Sequence, residues 1–266
     1  MVFRQLVFLA RNIRPEHPLV QSHYFRRQFI RFDPMHVLDL RGVIAICAGS
    51  MILKIISTNN TLGNNQDVRL AKINELMKEY QRTHGTSHRM PPLRINDLRT
   101  DGWGCLSGKV IKAANTRCMV PFLDNLAQTF FPAHGAYASS TRKLFASLLA
   151  VEKIFYSSGM FLTDTQKADL EYHLLRLGRH HQHLRHLSRL ENENSYQITP
   201  KCHYAQHFIE QARLMNPTTT QNYSEESLIG VMTRIWQAAA RGPYHKMIQR
   251  HTLNRYWTGL ELRMSI

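Results

Sequence analysis

The chain has 266 residues and a formal net charge of +15 with histidine neutral, from 34 Lys plus Arg against 19 Asp plus Glu. Its 43% hydrophobic and 20% charged residues are globular usage and exclude wholesale disorder, while 13 Gly and 10 Pro exclude a collagen-like or low-complexity chain. Such an excess of positive charge attracts polyanions, nucleic acid first and an anionic membrane surface second.

The first 32 residues hold six Arg and one acid, Glu16, a composition compatible with a transit peptide or with a chain that starts in mid-domain. Residues 1–29 read as a basic irregular arm broken by Pro15 and Pro18. A helix is expected from Met35 to Ile56, with Asp33 as N-cap and Pro34 in the first helical position. Its apolar run from Val43 to Leu53 is shorter than the roughly 20 residues of a membrane span, and Lys54 follows it, so no transmembrane segment is expected. Residues 57–66 read as a polar loop and 67–82 as an amphipathic helix. Residues 83–106, with Gly85, Pro91, Pro92, Gly102 and Gly104, read as a connector and as the best candidate boundary within the chain. Helices are then expected at 107–131, 139–158, 164–190, 201–215, 224–240 and 245–257, with Thr163 and Gln166 forming a capping box. The fold class is therefore mainly α. A multihelical domain at 107–266 packs against a shorter helical segment at 30–82.

The four cysteines (Cys47, Cys105, Cys118 and Cys202) contain no C-x-x-C pair and are too few for a disulfide scaffold. Free thiols in a reducing compartment, nuclear or cytoplasmic, are expected. Trp103, Trp236 and Trp257 read as core or capping residues rather than stacking platforms.

The densest feature is residues 172–190, with four Arg, five His and no acid. Leu170, Leu174, Leu177, Leu184 and Leu187 recur at helical spacing and predict a buried seam that includes His181. Arg176, Arg179, His183 and His186 point elsewhere, and with Arg185 they make a candidate phosphate-contacting set. A merely solvated basic face is the plainer alternative. His203 and His207 sit four apart, as zinc-binding pairs do, but H-E-x-x-H is absent and structural histidines are the simpler reading. Glu225 and Glu226 open a late helix, where their charge suits the helix dipole.

Taken in order, several strings resemble one family. Asp33-Pro34-Met35-His36 followed by Leu38-Asp39-Leu40-Arg41-Gly42 resembles the D-x-M-H segment of CACTA-type and related DDE transposases, enzymes of mobile elements. Residues 109–126 resemble the family's Lys-containing segment leading to a Pro-containing helix. His203 to His207 resembles its H-x-x-x-H helix, and Tyr223 through Gly230 its Y-P-F-E-R segment. In that register Glu226 takes the place of the third catalytic carboxylate, with Ser224-Glu225 and Ser227 where the family has Pro-Phe and Arg.

The resemblance implies an RNase H-like sheet and two catalytic aspartates ahead of Asp33, where this sequence has no Asp and only Glu16. A lone Glu226 cannot hold two metal ions, so independent strand cleavage is not expected, and Mg²⁺ enters only if another chain completes the site. Asp33 should then cap its helix and His36 should be hydrogen-bonded inside the core. The expectation is a truncated, transposase-like protein that binds nucleic acid, DNA rather than RNA, without a complete active site. A basic helical RNA- or DNA-binding module unrelated to transposition is the alternative.

Overall fold

The computed structural model describes residues 31–85, 90–108, 111–132 and 134–221, together with Thr233 and Gln237. The described residues are mainly α, as expected, with one two-stranded hairpin. The chain divides into two compact units, Met1–Thr220 and Gln221–Ile266, and the fold below is that of the first. The expected helices at 224–240 and 245–257, with Trp236, Trp257 and Glu226, lie outside the described residues.

Asp33 does cap the first turn. Its Oδ1 accepts the Met35 N–H at 2.9 Å, and its carbonyl accepts the Val37 N–H at 3.0 Å. The helix expected from 35 to 56 is nevertheless two elements. A π turn at Met35–Asp39 ends at Leu40, and α1 runs over Val43–Thr58. The break is steric: Arg41 takes a left-handed φ of 49°, and a Cβ on Gly42 would collide with the Val37 and Leu38 carbonyls.

Helix α1 is the centre of the core. Ile44, Cys47, Ala48, Met51, Ile52 and Ile56 are all fully buried. The stretch Met35–Thr58 has the length and mean hydropathy (1.8) of a membrane span, yet 72% of it is buried inside the protein. An apolar surface satisfied by its own chain is a core helix.

The next helix, α2 (Gln66–His84), is capped by the Asn65 side chain on the Val68 N–H and ends on Gly85 in the left-handed conformation. Arg69 is nearly buried. It fixes the preceding loop by donating to the carbonyls of Gly63 and Ile56, each at 2.8 Å.

Residues 90–108, read as a connector, thread the same core through Leu93, Leu98, Cys105 and Leu106. They contain the hairpin β1 (Arg99–Thr100) and β2 (Trp103–Gly104), closed by Asp101-Gly102 with both φ angles positive. Asp-Gly is a favoured pair for such a two-residue turn. The hairpin lies against α1 where α1 has no side chain: a Cβ on Gly49 would come within 2.6 Å of the Cys105 nitrogen. Beside it, Ser50 Oγ donates to the Gly104 carbonyl (3.1 Å) and accepts the Tyr196 N–H (2.8 Å). One hydroxyl thus ties α1, the hairpin and the loop after residue 190 together.

The helix expected at 107–131 is α3 (Ala113–Cys118) followed by α4 (Val120–Phe130), because Pro121 starts a new helix and residues before it form turns. The two long helices, α5 (Ala136–Ser157) and α6 (Asp164–Leu190), pack along one another and complete the core. The last stretch is α7 (Pro200–Tyr204), a 3-10 turn at Ala205–His207 and α8 (Phe208–Ala212).

Candidate nucleic-acid interface

Helix α6 starts at the expected capping box. The Gln166 N–H donates to Thr163 Oγ1 at 3.2 Å, and the Thr163 N–H donates to Gln166 Oε1 at 3.0 Å. Asp164 in the first turn and Arg189 in the last suit the helix dipole. Leu170, Leu174, Leu177, His181 and Leu184 form the buried seam, with Ser188 in the next turn, while Leu187 is only half-buried.

The opposite face is in solvent. Arg179, His183, His186 and Arg189 are exposed, and no carboxylate interrupts residues 172–190. Arg176 is half-buried, lies 5.8 Å from the Tyr172 ring centroid and donates to its hydroxyl at 3.2 Å. Arg185 does not belong to this face. Its guanidinium donates to the Ser195 carbonyl at 2.9 Å and to Asn194 Oδ1 at 3.3 Å. It anchors the loop after α6, a partner that helical spacing cannot show.

The histidines of α6 are not equivalent. His181 is held neutral by burial, with its pKa down at about 4. His180 is pulled to about 4 by burial first and then by the positive charges of Arg176 and Lys143. His173 is lowered for the same two reasons, burial and Arg176. Only His183 and His186 stand in open solvent on the basic face.

His36 hydrogen-bonds Asp33 through Nδ1 at 2.5 Å, as a paired motif should, but its side chain is 41% exposed. The expectation that it lies inside the core is corrected: the π turn ends too early to carry it inward. The residue that goes in is its neighbour Phe32. The Phe32 ring stacks on Tyr204 (4.9 Å between centroids) and on His207 (5.0 Å). Its N–H donates to Gln211 Oε1 at 3.1 Å, and Thr220 Oγ1 sits 3.2 Å from its carbonyl oxygen. Phe32 therefore gathers the Asp33–His36 turn, the His203–His207 segment and the chain just before Tyr223. Only its apolar character and its place beside Asp33 could have signalled this.

His203 and His207 face each other, with Nε2 atoms 3.1 Å apart. Two nitrogens on a tetrahedral zinc ion stand about 3.3 Å apart, so the pair has ligand-like spacing. Among the described residues, however, no group of three or more His, Cys, Asp or Glu is placed to hold a metal ion. The cysteines are free thiols, Cys47 and Cys105 buried and Cys118 and Cys202 half-buried.

Sequence reasoning also missed a buried acidic pair. Asp39 and Glu152 come from the π turn and α5 and are 2% and 9% exposed. Burial, then the Asp39 charge, push the Glu152 carboxyl well above its ordinary range, against the opposing pull of Arg117. Glu152 was visible only as one acid in an apolar stretch of α5.

Compared with protein-family models, with curated proteins and with solved structures, the chain matches none.

Proposed function

We propose that this chain is a DDE-transposase-like, mobile-element protein that holds nucleic acid by its backbone phosphates and does not itself cut it. The observation that carries the binding is the α6 face. A helix of 27 residues spans about 40 Å, and Arg179, His183, His186 and Arg189 lie in solvent along its second half without an acid between them. Phosphates are bound by such fixed, sequence-blind positive charge.

The meeting at Phe32 of the D-x-x-H turn with the H-x-x-x-H segment, two stretches far apart in sequence, supports the transposase-like reading. Catalysis has no such support. Two-metal phosphoryl transfer needs several converging carboxylates. Asp33 is engaged with the Met35 N–H and His36, and Glu152 is held protonated in the core. DNA is the polyanion of a mobile-element protein, and Mg²⁺ would enter only with carboxylates from another chain.

The test is fluorescence anisotropy with duplex and single-stranded DNA at two salt concentrations, with and without Mg²⁺, read beside a nicking assay. Expected are binding that weakens steeply with salt, no dependence on Mg²⁺ and no nicks. Absence of binding at low salt overturns the binding reading, and nicking overturns the non-catalytic one. The second reading is a basic helical RNA- or DNA-binding module unrelated to transposition. It is favoured by the absence, among the described residues, of any sheet larger than the two-stranded hairpin. Tighter binding to duplex RNA than to DNA in the same assay would select it.

A further inference from the structure

A cavity of about 120 Å³ lies between α6 and the segment formed by α7 and the following 3-10 turn. Leu174, Leu177 and Ala205 give it apolar walls, and the amides of Gln182 and Gln206 stand in its lining. The remaining polar wall is His181, which is only 2% exposed and whose Nε2 is buried with no hydrogen-bond partner among the described residues. The ring makes its one hydrogen bond with the Tyr196 backbone. That bond keeps the proton on Nδ1 and leaves Nε2 as a bare acceptor. A buried acceptor on a cavity wall is satisfied by a ligand that brings an N–H or O–H.

Size narrows the ligand. A cavity of roughly 150 Å³ accommodates benzene, so this one takes a single six-membered ring and not a purine. Position narrows it further. Gln182 follows Arg179 by three residues on α6 and neighbours His183 and His186, so the cavity adjoins the basic stripe. A single strand held on that stripe offers unstacked bases beside the opening.

Resting on the nucleic-acid reading above, we infer that this cavity receives one extruded pyrimidine base whose ring N–H donates to His181 Nε2: thymine or uracil, and not cytosine. Thymine carries a proton on N3, flanked by two carbonyl oxygens. Cytosine has a lone pair on N3, which would face the lone pair of Nε2. The glutamine amides can turn either their oxygen or their nitrogen to the ring, so they accept both bases. His181 cannot do the same, because its other nitrogen is committed to Tyr196 and burial keeps it neutral.

The experiment uses the full chain. Anisotropy compares oligo(dT) with oligo(dC) of equal length at one salt concentration. In parallel, thymidine and cytidine are titrated while the His181 ring signals are followed by NMR. Oligo(dT) is expected to bind about tenfold more tightly than oligo(dC), the scale of one well-placed base contact. Thymidine alone should move His181. Gly178→Leu fills the cavity from α6 and spares His181, since a Cβ there would already stand 2.9 Å from Gln206 Nε2, the end of a flexible side chain. In that variant oligo(dT) should fall to the affinity of oligo(dC), whose own binding is unchanged.

Equal binding of the two oligonucleotides by the unaltered chain, or a preference that survives Gly178→Leu, overturns the inference and leaves the α6 reading intact. A His181 response to thymidine without strand binding overturns the α6 reading and keeps the cavity's ligand. No response of either kind overturns both.

Discussion

Helix α1 buries 12 of its 16 residues, and helix α6 buries six of its 27. Both carry apolar residues at helical spacing, so both fold by hiding hydrocarbon from water. They differ in what remains outside. Helix α1 leaves almost nothing: one of its few partly exposed groups, Lys54, is taken by Glu191 and Glu193 at 2.6 Å each. Helix α6 leaves a whole cationic face, and its own Arg185 is drawn off that face to hold a loop. The lesson is that positive charge near a helix is not yet an anion site. It becomes one only where the fold leaves the charge without an internal acceptor.

That contrast can be broken most forcefully in α1. Ile52→Ala empties a fully buried position and should lower stability by about 2–5 kcal/mol, read as a drop in the urea midpoint with unchanged slope. A drop below about 0.5 kcal/mol, the scale of surface substitutions, would mean α1 is not the centre of the core.

A buried seam residue of α6 gives the next effect, through pH. The folded-state pKa of His181 is depressed to about 4, below its ordinary value of 6.5. Its share of stability is therefore intact above pH 6.5 and is lost as pH falls from 6.5 through 4, where the unfolded chain takes up a proton that the folded one refuses. The loss should approach about 3 kcal/mol. His181→Leu should remove that part of the slope in a melting series between pH 7 and pH 4, and an unchanged slope would put the titration elsewhere. Glu152 acts in the opposite sense. Its raised pKa removes stability as pH rises above its ordinary carboxylate range, so Glu152→Gln should stabilise the protein more at pH 8 than at pH 4.

The smallest and most discriminating pair is Arg185 against Arg179. Arg185→Ala leaves the Ser195 carbonyl without its donor and should cost about 1–2 kcal/mol of stability, with the salt dependence of DNA binding unchanged. Arg179→Ala should leave stability within about 0.5 kcal/mol and lower the slope of log affinity against log salt by about one. If the two variants exchange these effects, the division of α6 into an anchoring and a binding side fails.

Much of this was legible in the chain. The capping box fixed the start of α6, its leucine spacing fixed the seam, and His181 was placed correctly within it, because helical periodicity is a local property. Asp33 as a cap was legible for the same reason. The break at Arg41–Gly42 was not, because a single glycine inside an apolar run shows neither its φ nor the carbonyls it must clear. The division of 107–131 at Pro121 shows the same limit: punctuation is visible, but its consequence depends on the neighbours.

The sequence by itself determined the class of fold, the net charge, the reducing-type cysteine pattern and the basic helix, all of which follow from residue identity and short-range spacing. Only the tertiary structure decided which charges remain free, because that depends on acceptors such as the Ser195 carbonyl. It alone brought Phe32 to His207, and only it placed the buried Nε2 of His181 on a cavity. Each of these is a meeting of distant segments, set by how the core closes around α1.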